Sequence, residues 1–224
     1  MSGVSGHDGH MPRVHPRTTP AGRAVLMVGL PAAAALALVY LLGVRTRVGQ
    51  LFDDRVFGWF VGLGPSAHAL APLLRTGVPL FLGAAAGVLG LLAIRQRRWR
   101  AAIGSVLLVA LSVVASLTLR DSVLTRPDLG VPGYADNTLP SSHATITVAL
   151  CAAVLVLWPA QRRRPPTATV VAALTLTVLA AASSVVSWAH RPTDVVASAL
   201  LVLAAGPVVM CLLEAARRPA GRRT

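Results

Sequence analysis

Two short stretches hold most of this chain's polar chemistry. The first runs Arg120-Asp121-Ser122-Val123-Leu124-Thr125-Arg126-Pro127-Asp128 and on through Asn137-Thr138-Leu139-Pro140-Ser141-Ser142-His143. The second is Ser183-Ser184-Val185-Val186-Ser187-Trp188-Ala189-His190-Arg191-Pro192-Thr193-Asp194. Their residue types suit phosphate. A serine before the apolar run that follows His143 caps a helix and leaves its first amides facing outward, which is a ready anion site. Ser141 and Ser142 supply that cap. Arg120 and Arg126 flank the same mouth, and a guanidinium forks onto phosphate oxygens. Pro192 fits the first turn of a further helix, which puts Asp194 in that turn. From there Asp194 reaches back to one ring nitrogen of His190 and leaves the other free as a nucleophile. His143 remains as the proton donor to a leaving oxygen.

These residues lie far apart in sequence, so the elements around them must bring them together. Of the 224 residues 54% are hydrophobic and 13% charged, too little polar surface for a soluble domain. Apolar runs lie between Arg23 and Arg45, Arg75 and Arg95, Arg100 and Arg120, His143 and Gln161, Arg164 and His190, and Asp194 and Glu214. Each is near the roughly 20 residues that a helix needs to cross the hydrocarbon core. The expected fold is all-α: a polytopic membrane protein of six transmembrane helices spanning residues 23–214. Residues 1–22 form a disordered tail and 215–224 a basic one. His7, Asp8, His10 and His15 in the first tail read as polar tail residues rather than a metal site. The first apolar run is too long for a signal-peptide core and is expected to stay in the protein as a helix.

Every basic residue is Arg, and the net charge is +13. With the N-terminus inside, Arg13, Arg17, Arg23, Arg95, Arg97, Arg98, Arg100, Arg162 to Arg164, Arg217, Arg218, Arg222 and Arg223 all fall on the inner side. The outer side keeps Arg45, Arg47, Arg55, Arg75, Arg120, Arg126 and Arg191, nearly balanced by Asp. The positive-inside rule therefore predicts two cytoplasmic termini and an outward-facing site. Trp59, Trp99, Trp158 and Trp188 fall at helix ends, where indoles anchor at headgroups. The charge thus reports topology and contact with anionic lipids, not nucleic acid, since no Arg cluster is interleaved with stacking aromatics. Arg-only basicity with heavy Ala, Val and Leu usage suggests a GC-rich bacterial genome, and hence the inner membrane. Cys151 and Cys211 lie inside apolar runs and read as small core residues. Leu51, Phe52, Val56, Trp59, Phe60 and Leu63 recur at helical spacing in the first outer loop, with Asp53, Asp54 and Arg55 away from them. That pattern predicts a helix lying in the outer interface, either a surface lid or a grip on substrate.

Pro140-Ser141-Ser142-His143 and His190-x-x-x-Asp194, with Arg126-Pro127 upstream, resemble the three signatures of the type-2 phosphatidate phosphatase superfamily. That superfamily includes lipid phosphate phosphatases, polyprenyl diphosphate phosphatases and vanadium haloperoxidases. The resemblance runs over roughly residues 50–205. It implies that His190 attacks phosphorus to give a phosphohistidine, oriented by Asp194, with His143 as the acid. Arg126, Ser141, Ser142 and their amides would bind phosphate, without a metal or other cofactor. Three positions depart from the pattern. Leu119 stands where the first motif has Lys, with Arg120 one residue later, and Ser142 replaces the Gly of Pro-Ser-Gly-His. Ser184 replaces the Arg of the third motif, for which Arg191 is the nearby substitute. The expected activity is hydrolysis of a lipid-linked phosphate or diphosphate at the outer leaflet. A non-catalytic relative that binds a lipid phosphate or a partner protein at the same mouth is the alternative.

Overall fold

The structure is a computed structural model and describes residues 19–131, 136–159 and 165–217. Residues 1–18 of the expected tail 1–22, residues 218–224 of the expected tail 215–224, and the arginines Arg162 to Arg164 lie outside the described residues. Those residues form seven helices and no strand. They are α1 (Pro20–Val44), α2 (Arg47–Val61), α3 (Pro65–Arg95), α4 (Trp99–Val123), α5 (Ser142–Leu157), α6 (Thr167–Val186) and α7 (Pro192–Ala215). Five of them, α1, α3, α4, α6 and α7, are long and apolar enough to cross a membrane. This is a multi-pass membrane protein.

The run expected to form the fourth of six spans is shorter than the sequence suggested. Helix α5 ends at Leu157 after 16 residues, about 24 Å of rise. Pro159 explains the stop. The residue before a proline is driven out of the helical region, and Trp158 takes φ −48°, ψ 137°. The carbonyls left open at that end are not wasted. The Arg98 guanidinium donates to the carbonyls of Val156, Leu157 and Trp158 at 2.8–3.2 Å, placing a cation at a helix C-terminus. Arg100 does the same for α7 through the Leu213 carbonyl, at 2.6 Å. Helix α3, by contrast, starts ten residues before Arg75, at Pro65, and continues through Pro72 and Pro79.

Helix α5 is the centre of the bundle and packs against α3, α4, α6 and α7. Small residues let the backbones approach, as expected where lipid removes the hydrophobic drive for helix association. Helix α4 buries Gly104, Ser105, Ser112 and Ser116 along one face. A Cβ at Gly104 would stand 3.0 Å from Leu213 Cδ1 on α7. Large apolar side chains such as Met27, Leu42, Leu80, Phe81, Leu91 and Val106 point outward instead. The two cysteines are free. The Ala21 amide at the start of α1 donates to Glu214 near the end of α7, at 3.1 Å. The first and last described helices therefore open and close on the same face as the Arg98 cap.

The opposite face carries the site. Helix α2 lies across it, with Leu51, Phe52 and Trp59 exposed and Gln50, Asp53 and Phe57 buried against the bundle. It turns sharply off α1, and Gly49 permits the crossing, since a Cβ there would lie 1.9 Å from the Leu42 carbonyl oxygen.

Candidate active site

Ser141 takes extended backbone angles and caps α5: its Oγ accepts from the Ala144 amide at 3.2 Å. It is fully buried, and its own carbonyl accepts from Ser198 of α7 at 2.9 Å. The Ser141 amide donates to the Asp194 carbonyl at 3.3 Å. The start of α5 is thereby tied to the first turn of α7, so the two polar stretches meet. Ser142 and His143 follow at the first helical positions, where amides have no carbonyl four residues back in the helix. Arg120 reaches this N-terminus, donating from its Nη1 to Ser142 Oγ at 3.3 Å and from its Nε to Asp121 at 2.7 Å. It sits in the last, wide turn of α4, where hydrogen bonds run from residue i+5 to residue i, as from the Leu124 amide to the Leu119 carbonyl. Asn137 folds the following loop back, donating to the carbonyls of Arg120 and Leu124, each at 2.9 Å.

Asp194 is fully buried in the first turn of α7. One carboxylate oxygen accepts from Arg126 at 2.6 Å, a pair in which both side chains are buried. The other accepts from the Thr138 hydroxyl at 2.5 Å and from the Arg191 amide at 2.9 Å. The same oxygen stands 3.6 Å from His190 Nδ1, just past hydrogen-bond length, and Nδ1 has no other partner. Arg126 is thus held by the carboxylate that faces His190.

Over this group lies a cavity of about 370 Å³ lined by Phe57, Arg126, Asp136, Thr138, Trp188, Ala189, His190 and Arg191. The turn that presents His190 is tight. Trp188 adopts φ 60°, an uncommon conformation for a bulky residue. Its ring meets Phe57 of α2 edge-on, with centroids 5.3 Å apart. The amides of Ala189 and His190 both donate to the Ser184 carbonyl, at 3.1 and 3.3 Å. Arg191 is in the cavity wall, but its guanidinium is paired with Asp54 of α2 at 2.8 Å and lies 4.1 Å above the Phe57 ring.

Among the residues expected from sequence, His190, Asp194, Arg126 and Arg191 converge on the cavity or its floor. Arg120 and Ser142 meet beside it at the start of α5, where Ser141 is spent on capping. His143 is exposed on α5 and does not line the cavity, but lies within electrostatic reach of His190. Sequence reasoning missed Thr138 and the acidic face of α2. Asp53 accepts from the Thr193 amide and hydroxyl, both at 2.9 Å, and so caps α7 from outside the helix. The visible signal was a pair of acids on the polar side of an amphipathic helix beside a basic site.

No curated protein and no solved structure matches the chain. Residues 121–218 match the family model of the PAP2 superfamily. That stretch begins beside Arg120 and contains Arg126-Pro127, Pro140 to His143, and His190 to Asp194. Over that stretch, a little under half of its length, the chain is similar to the PAP2 superfamily, the superfamily of the type-2 phosphatidate phosphatases.

Proposed function

We propose that this protein is a bacterial inner-membrane phosphatase that hydrolyses a lipid-linked phosphate or diphosphate on the extracytoplasmic side. In this reading six helices cross the membrane, α5 being shielded by its neighbours, and both termini are cytoplasmic. The observation that carries the proposal is the buried Arg126–Asp194 pair with His190 Nδ1 3.6 Å from the carboxylate, under a cavity of about 370 Å³. With Nδ1 turned to Asp194, the lone pair on Nε2 is available to phosphorus.

His190 Nε2 forms a bond to phosphorus while the bond to the leaving oxygen breaks, and His143 gives that oxygen its proton. Water then attacks the phosphohistidine, His143 takes the proton, and phosphate leaves with His190 restored. Arg126, Arg120, Ser142 and the first amides of α5 carry the phosphate charge, supported by Arg191 from the rim. Asp194 keeps the imidazole oriented and stabilises the positive charge that grows on it.

Phosphate release by the purified protein from a panel of lipid phosphates and diphosphates tests this. Turnover that vanishes in His190→Ala is expected, and equal release by both proteins would overturn the proposal. Ser184, standing where the superfamily's third motif has Arg, favours a second reading in which the mouth binds a lipid phosphate without cleaving it. Binding of a phosphate lipid with no release would select that reading.

A further inference from the structure

One guanidinium at the mouth belongs to neither polar stretch. Arg75 sits on α3, eleven residues into a helix of 31. Arg120, Arg126 and Arg191 each meet a carboxylate. Arg75 meets none and makes no side-chain hydrogen bond among the described residues, and its Nε is buried without a partner. An arginine on a spanning helix is costly and faces the bundle interior or a polar cavity for a reason. An unsatisfied buried donor calls for an anion that the chain itself does not provide.

The helix register says where that anion sits. Helices α3 and α5 run in the same direction, since Arg98 just beyond α3 caps the end of α5. A Cβ on Gly83 of α3 would touch Leu150 of α5 at 3.8 Å. Stepping back eight residues along each helix, about 12 Å of rise, brings Arg75 level with Ser142, beside His143. Arg75 and His190 are the two basic groups that act electrostatically on the His143 ring. Helix α3 also packs against α6 through Val78, Leu82, Ala173 and Ala180. Ser184 lies one turn beyond Ala180, nearly fully buried, with its hydroxyl donating to the Ala180 carbonyl at 3.1 Å. The third motif therefore leaves a short, self-satisfied side chain beside His190, while a neighbouring helix brings a long, unpaired cation to the same level.

We propose that Arg75 is a phosphate-binding residue of this site, supplying from α3 the guanidinium that Ser184 lacks on α6. This rests on the phosphatase reading and extends it to a residue outside the matched motifs. Two sources share the chemistry: the substrate phosphate at His143, and the headgroup phosphate of a surrounding lipid. A soluble aryl phosphate assayed in detergent without phospholipid separates them.

The test compares wild type, Arg75→Met and Arg75→Lys for aryl phosphate turnover and for binding of orthovanadate, a phosphate mimic. Removing a lone charge from a spanning helix strands no partner, so Arg75→Met is expected to fold. Loss of one preorganised donor lowers kcat/KM by about 100- to 1000-fold, with Arg75→Lys falling between because it keeps charge but not the fork. Vanadate affinity falls at least about tenfold with it, and adding Ser184→Arg to Arg75→Met restores part of both. Turnover and vanadate affinity unchanged in Arg75→Met would overturn the assignment while leaving the phosphatase reading intact. Wild type with no turnover, yet with vanadate binding that Arg75→Met weakens, would keep Arg75 as a phosphate ligand and remove the phosphatase. Wild type that neither turns over nor binds vanadate would remove both.

Discussion

Asp194 serves three donors at once, so its substitution acts on folding as well as on rate. The carboxylate meets Arg126 at 2.6 Å with both side chains buried, and removing one member of a buried ion pair costs about 3–5 kcal/mol. Asp194→Asn is therefore expected to lower the unfolding midpoint in detergent sharply, and Asp194→Asn with Arg126→Met to recover much of it. Thr138→Val removes a single bond to the charged group and is expected to cost about 1.5–3 kcal/mol, read in the same unfolding assay. His190 behaves differently. Its Nδ1 has no hydrogen bond to lose, so His190→Ala is expected to end turnover while moving the midpoint little. Matching stability losses in His190→Ala and Asp194→Asn would show that the pair serves the fold. His143→Ala is expected to spare substrates with good leaving groups, seen by comparing aryl phosphates of falling leaving-group pKa. That Arg126, Asp194 and His190 belong together was legible in the sequence, because each is a side chain whose chemistry has few alternatives. Thr138 was not, because one threonine in a loop looks like any other until Asp194 is placed beside it.

At the scale of elements, the informative case is α2. Its amphipathic period was readable, and so was its existence as a separate helix after α1. Which face meets the protein follows from the solvent: Leu51, Phe52 and Trp59 are exposed while Asp53 is buried on α7. An apolar surround rewards apolar residues outside, so the polar face becomes the docking face. Asp53 holds both the amide and the hydroxyl of Thr193, at the helix end that carries Asp194. Loss of a capping side chain costs about 0.5–2 kcal/mol. Asp53→Ala is therefore expected to destabilise the protein by about that amount and, if His190 is the nucleophile as proposed, to lower kcat more than it raises KM, because it disturbs the support of His190 and Asp194 rather than the proposed phosphate contacts. Arg55→Ala, on the exposed side of the same helix, is the control and should change neither. The end of α5 shows the other limit of sequence reading. Hydropathy counted apolar residues through to Gln161, but Pro159 ends the helix at Leu157, and the open carbonyls found Arg98 across the bundle. That contact joins residues about sixty positions apart, and no local pattern announces it.

At the scale of the whole molecule, the arrangement depends on which face each end of the bundle occupies. The Ala21–Glu214 contact and the Arg98 cap on α5 lie at one face, and the Ser141–Asp194 contact lies at the other. Charge then orients the two faces. Arg95, Arg97, Arg98 and Arg100 crowd the first, whereas the second balances Arg120, Arg126 and Arg191 against Asp121, Asp194 and Asp54. In the proposed orientation, which the positive-inside rule favours, the first face is cytoplasmic. A cysteine at Asp136, on the cavity rim, is then expected to react in intact cells with a thiol reagent that cannot cross the membrane. A cysteine at Gln96, in the turn between α3 and α4, is expected to react only after the membrane is opened. Cys151 and Cys211 are first replaced by Ala, so that neither native thiol contributes. Labelling of Gln96→Cys from outside with protection of Asp136→Cys would put the cavity in the cytoplasm and its substrate in the inner leaflet. Labelling of both from outside would mean that the turn and the cavity share a face. That outcome requires an even number of crossings between residues 96 and 136. Among the described residues between them α4 is the only element long enough to cross, so the bundle itself would be wrong and the meeting of His190 with the start of α5 would fall with it.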